Sequence, residues 1–516
     1  MFVGIVVCVT VLTDSTLVVG SGVTGREMPS LLNSGRLHIG NINQNIVNTE
    51  FAVEGLVHQR ALELKVELKQ GVKKPFEDLI EADTGDIADQ KLITFVRQVT
   101  AAACLPELLD DTTFPEDVKS RVQNLLQHFQ GNSIGSLTDS SGLKMVRRHI
   151  AEFIRQRDNN PSRWEDIIIV PGISAAVKIL SNLMNFSSNG LPPGVLLPVP
   201  QFPLLTRALT EFGVKKLDYF LDEETGWSVV VDELEQVLLN GKIHCQPRAI
   251  VVINPGNPTG QLLSRKNMED IIKFAEREKL LIIAFEVYQD NVYEDNIFQS
   301  FKKVLYEMEA PYKNTELVSL MSCFRGYAEE VGLRGGYMEL YNVGPAVKDF
   351  LKKNIMISDS PPACAQIALD CITNPPRLGE PSYPLFASER AALLTSVAER
   401  AKLINRGINR IPGLSCQPVQ GSFFAFIKVD IPEKAVEQAN SLNLSPSTFY
   451  GLEMLEKSGV VVVPGDGFGQ KPGTHHFRMT ILLPEERLKE ALRRIRKFHI
   501  EFVNQYCDDN NTEIDQ

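Results

Sequence analysis

The segment Asn254-Pro255-Gly256-Asn257-Pro258-Thr259-Gly260 directly follows the apolar run Ala249–Asn254. Two prolines and two glycines impose a sharp loop at the carboxyl end of a predicted strand, which presents the Asn257 amide to the crevice beyond the sheet. That placement at a strand's carboxyl end favours a ligand loop over a plain turn. A second glycine-rich stretch, Gly465-Asp466-Gly467-Phe468-Gly469, has its third glycine misplaced for a dinucleotide fingerprint. His475 and His476 are adjacent with no matching ligand cluster, which favours a structural role over a metal site. The eight cysteines contain no CxxC pair. In a chain too long to need stapling they are expected as reduced, buried thiols. Cys364 and Cys371 would share a helix face, which suits core packing.

Elements that could position such groups follow from periodicity. Val57, Ala61, Leu62, Leu64 and Leu68 predict a helix over 53–71 stopped by Gly71. Pro115, Glu116 and Asp117 open another over 115–129, with acids suited to the helix dipole. From about residue 140, short apolar runs alternate with amphipathic stretches such as Arg265–Lys279. The runs are Asp166–Val170, Val195–Val199, Ala249–Asn254, Leu280–Phe285, Leu317–Met321 and Gly336–Leu340. This alternation predicts an α/β fold with a mostly parallel sheet covered on both faces. A second unit is expected from about residue 365: a helix over Ser388–Arg406 ended by Gly407, strands at Phe423–Val429 and Gly459–Val463, and a last helix at Pro484–Tyr506.

The chain has 516 residues and 43% hydrophobic content, enough for a sizeable core, and a net charge of -11 that argues against general nucleic-acid binding. Phe2–Leu12 is apolar and as long as a signal-peptide core, but no Lys or Arg precedes it, and it is too short to span a membrane. Residues 13–40 hold only Arg26 and Arg36 against Asp14 and Glu27, a poor mitochondrial presequence. A soluble cytoplasmic protein is expected, with a mitochondrial location as the alternative and no membrane span.

Four motifs carry a family resemblance: Asn254–Gly260; Glu286–Tyr293 (EVYQDNVY); Gly332–Glu339 (GLRGGYME); and His476–Leu482 (HFRMTIL). With Ile93–Val99, Phe114–Arg121 and Pro464–Gln470, in this order, they resemble alanine aminotransferase, a class I/II enzyme that uses pyridoxal 5′-phosphate (PLP). The resemblance runs from about Asn43 to the last helix. It implies the PLP-dependent aminotransferase fold (fold type I), with a large domain, a smaller α+β domain, and a homodimer whose active sites lie at the interface. The expected divisions are an N-terminal extension (1–42), targeting or disordered, and N-terminal helices (43–130) serving the small domain and dimer contacts. The large domain (131–364) and the C-terminal small domain (365–516) follow.

The resemblance also implies roles. Asn257 and Tyr288 would hydrogen-bond the cofactor's phenolic oxygen, and Arg334 would grip its phosphate as a charge-assisted fork. Ser322 and the backbone of Gly172, Ile173 and Ser174, at a helix start, would complete the phosphate cup. Phe202 stands where a tyrosine stacks on the ring. Arg478 would clamp the α-carboxylate of a small amino or keto acid.

Several positions depart from the family pattern. Arg325 replaces the Schiff-base lysine, and a guanidinium stays protonated and is no amine nucleophile. Phe285 replaces the aspartate that keeps the pyridine nitrogen protonated. Phe324 replaces a serine beside the phosphate, and Leu137 a tyrosine that reaches the partner subunit's phosphate. The loop at Asp83–Gln90 is shorter by about two residues than the family form. Losing a positioned acid–base group alone removes about 10²–10⁴-fold of rate. The expectation is therefore an impaired alanine-aminotransferase relative, with covalent cofactor attachment lost, that keeps PLP or amino/keto-acid binding or serves as partner to an active paralogue. An active enzyme using another lysine, and a ligand-free dimerisation protein, are the alternatives. The Arg325 charge would meet Glu286 or a bound anion.

Overall fold

The computed structural model describes residues 36–49, 55–83, 93–322, 326–328, 331–356 and 360–507. Arg325, Phe324, Cys323, Cys8, most of the expected N-terminal extension, and positions 84–90 of the shortened loop lie outside them. The chain divides into Met1–Asn48 and Thr49–Gln516. In the first unit, a tight turn at Ile39–Asn41 precedes a single helical turn, Gln44–Val47, whose cap is the Asn43 side chain accepting from Asn45 N–H.

In the second unit the strands in chain order are β1 (Ile80–Glu81), β2 (Ile167–Val170), β3 (Pro193–Val199), β4 (Lys215–Asp222), β5 (Ser228–Val229), β6 (Gln246–Ile253) and β7 (Leu281–Phe285). They continue as β8 (Leu317–Ser322), β9 (Gly336–Tyr341), β10 (Leu414–Cys416), β11 (Phe424–Val429), β12 (Val460–Val461), β13 (Val463–Pro464) and β14 (His476–Thr480). The large sheet has the order β2-β9-β8-β7-β6-β3-β4-β5. The run β8-β7-β6-β3-β4 is parallel, while β9 and the short edge strand β5 oppose their neighbours. The mostly parallel sheet is thus present, and each apolar run expected as a strand lies in it. β4 was not anticipated, because its charged residues interrupt the apolar signal (KKLDYFLD).

Alternation along each strand sends residues to two covered faces. Val170, Val251, Ile253, Phe285 and Leu320 pack with the helices Ile173–Met184 and Leu204–Glu211. On the opposite face Ile250, Val252, Ile282 and Ala284 meet the helix Arg265–Glu278. That helix begins at Ser264, whose Oγ accepts from Asn267 N–H at 3.2 Å, and ends at Lys279 in the left-handed conformation. Helices Thr94–Cys104, Glu116–Leu126, Lys144–Asp158 and Ala363–Thr373 share a further apolar cluster beside β2 and β9. Pro115 is the N-cap of Glu116–Leu126, so the acids fill its first turn as expected.

A smaller antiparallel sheet, β10-β11-β14-β13, forms the other layer with the last helix, Glu485–Tyr506. The long helix Tyr383–Ile408 reaches both regions: Phe386 packs beside Phe95, whereas Val397, Ala401 and Ile404 pack in the small-sheet core. Gly407 lies inside this helix instead of stopping it. A Cβ there would stand 2.7 Å from Leu492, so glycine serves the close approach of the last helix. Among the described residues, no helix is long and apolar enough to cross a membrane.

Candidate functional site

Antiparallel pairing of β2 with β9 builds one corner of the site. The register Val170↔Gly336 brings the residues just after β2 beside those just before β9. Gly172 (φ +84°) is the N-cap of Ile173–Met184, and Arg334 (φ +56°) covers it. A Cβ on Gly172 would lie 3.3 Å from Arg334 Nη2, closer than side chains normally pack. Glycine at 172 therefore admits both the left-handed backbone and the guanidinium. The amides of Ile173 and Ser174 open the helix with no side-chain cap, and the exposed Arg334 adds a fixed positive charge. Helix N-terminal amides beside an arginine fork are an arrangement suited to an anion. Ser322 ends β8 alongside, buried, with its Oγ donating to Gly335 O at 3.5 Å.

A second corner forms where the loop after β6 meets β14. Asn257 Nδ2 donates to Tyr288 Oη at 3.2 Å, and Arg478 Nη1 donates to Asn257 Oδ1 at 3.3 Å. Arg478 Nη2 donates to Asp83 O at 2.9 Å. Its guanidinium lies 4.0 Å from the Phe424 ring centroid and 4.6 Å from that of Phe468. Two aromatic faces thus hold a buried cation, which orients the fork and keeps its charge poorly hydrated. Tyr288 is wedged edge-on against Phe423 and Phe424. Phe202 packs, partly buried, against the apolar cluster that includes Phe426 and Phe468. The glycine-rich stretch Gly465–Gly469 supplies Phe468 to this wall.

Phe285 lies at the carboxyl end of β7, between Ile253 and Leu320, and is 7% exposed. Its surroundings are apolar and it offers neither charge nor hydrogen bond. Glu286 is fully engaged elsewhere: Oε1 accepts from Phe301 N–H at 2.7 Å and Oε2 from Ser319 Oγ. Burial pushes its carboxyl up to about 7, opposed by Arg157. Leu137 is 80% exposed. Neighbouring Thr138 is tied to Ser360 Oγ and to Gln366 Nε2.

Two further residues at the site carried little signal in the sequence. Asp290, inside the Glu286–Tyr293 motif, lies with Oδ2 3.3 Å from where a Gly326 Cβ would stand. Its Oδ1 is 3.7 Å from Arg390, which stacks over Tyr327; burial raises the Asp290 carboxyl even so. Asp83, whose carbonyl holds Arg478, turns its Oδ2 to His58 Nδ1 at 3.1 Å. His476 stacks on Phe426 and bonds Glu223 and Gln470, a packing role. Among the described residues no group of three His, Cys, Asp or Glu side chains could hold a metal ion. The expectation of uniformly buried thiols needs correction: Cys104 and Cys507 are exposed and Cys364 is partly so, while Cys245, Cys371 and Cys416 are buried.

Residues 106–495 match the family model for aminotransferase class I and II. Alanine aminotransferase 2 of Xenopus laevis is 45% identical over 475 residues, covering 91% of this chain and 88% of its own. Alanine aminotransferase 1 of Homo sapiens is 43% identical over the same share of this chain and 96% of its own. Among solved structures, an alanine aminotransferase from Pyrococcus furiosus aligns with a TM-score of 0.70 at 22% identity, covering 89% of this chain and 99% of its own. A Thermus thermophilus aspartate aminotransferase double mutant aligns at 0.67 and 19%, over 89% and 99%. These structural likenesses speak to the fold, which is fold type I of the PLP-dependent aminotransferases. With the family model spanning most of its length, the chain belongs to the class I and II aminotransferases.

Proposed function

We propose that this chain is an alanine-aminotransferase-like protein that binds an anionic amino or keto acid, and PLP without covalent attachment, but has lost transamination. The carrying observation is Phe285, buried among Ile253 and Leu320 at the end of β7. PLP, when bound in this family, supplies an electron-accepting pyridine ring whose nitrogen needs an acidic partner.

The residues fit that group in part. The Gly172–Arg334 corner suits its phosphate, and the Asn257 and Tyr288 polar atoms, 3.2 Å apart, suit its phenolic oxygen. Phe285 gives the ring nitrogen nothing, and Arg325 gives the aldehyde no amine. Lys302, fully buried near the sheet, does not replace it: its ammonium is paired with Glu339. Glu339 faces Ser319, three residues before the strand end at Ser322, or about 10 Å away. Arg478 then takes a substrate carboxylate with its buried, aromatic-sandwiched fork. We propose assembly as a homodimer, which would leave Leu137 to be covered by the partner.

The test is a visible spectrum of purified protein with PLP, followed by borohydride reduction and peptide mapping. Expected are reversible spectral and thermal shifts with no lysine adduct. A specific borohydride-fixed lysine adduct, or alanine-dependent amino transfer, would overturn the reading. The substitutions Arg325→Lys and Phe285→Asp together should restore measurable transamination, and Arg325→Lys alone less.

A further inference from the structure

Cys104 is the last residue of the helix Thr94–Cys104, and Cys364 the second residue of the helix Ala363–Thr373. Their sulfurs are 3.8 Å apart, with Cys104 exposed and Cys364 partly exposed. Both helices are anchored in one apolar cluster, through Val99 and Ala103 on one side and Ile367 and Cys371 on the other. Rigid elements, not loops, therefore hold the two thiols together. A disulfide needs about 2.05 Å between sulfurs, so the two must approach by a further ~1.8 Å to close. We propose that Cys104 and Cys364 form a redox modification site that a low-molecular-weight disulfide such as glutathione disulfide converts to an intramolecular disulfide.

The chemistry balances in two exchanges. The exposed Cys104 thiolate attacks the small disulfide, forming a mixed disulfide and releasing one thiol. The Cys364 thiolate then attacks Cys104 Sγ and displaces the second thiol. Two protein thiols are oxidised and one small disulfide is reduced to two thiols. Burial and the adjacent Cys104 hold the Cys364 thiol above its usual range, so the second exchange quickens with rising pH. The cross-link ties down the helix start that supports the Leu137 loop, where Gln366 holds Leu143 N–H and Thr138 Oγ1. Cys507, also exposed, is an internal comparison for glutathione addition at an accessible thiol.

The full-length protein is incubated with glutathione disulfide at pH 8, quenched with acid and mapped without reduction. Expected is a Cys104–Cys364 linked peptide within one chain, the loss of the same two thiols, and reversal by dithiothreitol. Cys364→Ser should stop at a glutathione adduct on Cys104, and Cys104→Ser should leave Cys364 unmodified over the same period. Stable glutathione on Cys104 of the parent without the linked peptide would overturn the proposal. So would a link that forms only between chains or only after denaturation.

Discussion

Phe285→Asp tests whether position 285 has truly become part of the core. The side chain is 7% exposed and packed with Ile253, Leu320 and their neighbours. Removing a buried phenylalanine side chain costs about 3–5 kcal/mol. The described neighbours in that cluster are apolar, so the new carboxyl would be driven to take up a proton. Holding a group of ordinary pKa near 3.9 neutral at pH 7 costs up to about 4 kcal/mol. The sum, about 7–9 kcal/mol, approaches the whole stability of a typical domain, about 5–15 kcal/mol. The sign follows from linkage. A carboxyl whose folded pKa is raised penalises folding least below about pH 4 and increasingly as pH climbs toward the folded value. Urea unfolding followed by circular dichroism, with and without PLP, at pH 5 and pH 8, measures this. The variant should unfold at far lower urea than the parent, worse at pH 8, and PLP should recover more stability in the variant. The volume-conserving Phe285→Leu should cost less than about 1.5 kcal/mol. A parent-like urea midpoint for Phe285→Asp without PLP at pH 8 would refute the placement of this residue, as would a Leu variant as damaged as the Asp variant.

Lys302→Met leaves Glu339, 2% exposed, as a buried unpaired charge, and should cost about 3–5 kcal/mol in urea unfolding. Adding Glu339→Leu should recover most of that loss, short of the Ser162 hydroxyl bond to Glu339 that it also removes, and a double variant as unstable as Lys302→Met alone would refute the pairing. Glu286→Gln keeps an acceptor for Phe301 N–H but abolishes titration. Because the parent carboxyl is raised from 4.5 to about 7, its contribution is complete below 4.5 and lost as pH rises through about 7, at most about 3 kcal/mol. The Gln variant should lack that slope, so identical pH–stability profiles would refute it. Arg478→Ala should weaken 2-oxoglutarate binding by about ten- to a hundredfold, one charged hydrogen bond's worth, while sparing the response to inorganic phosphate. Arg334→Ala should do the reverse, and calorimetric titration of both variants reads the split.

Sequence alone determined much of this protein. The buried strands β2, β3, β6, β7 and β8 announce themselves as apolar runs, since a strand covered on both faces needs no polar alternation. Asn257, Tyr288, Arg334 and Arg478 could be singled out from the motifs that carry them. So could the apolar replacement at 285, a change of residue type that needs no coordinates to be seen. What pairing and packing decide was not legible. Gly172 and Arg334 are 162 positions apart and meet only because β9 inserts antiparallel beside β2. Arg478 is set by Phe424, Phe468 and the Asp83 carbonyl, three partners from distant segments. Asp290 was not singled out within its motif, and Gly407 was expected to stop a helix; their tertiary neighbours show what each one meets. Cys104 and Cys364 lie 260 positions apart, and no spacing rule could join them. Local residue type carries propensity and chemistry; which chemistries share a site is set by long-range contacts, and only the fold supplies those.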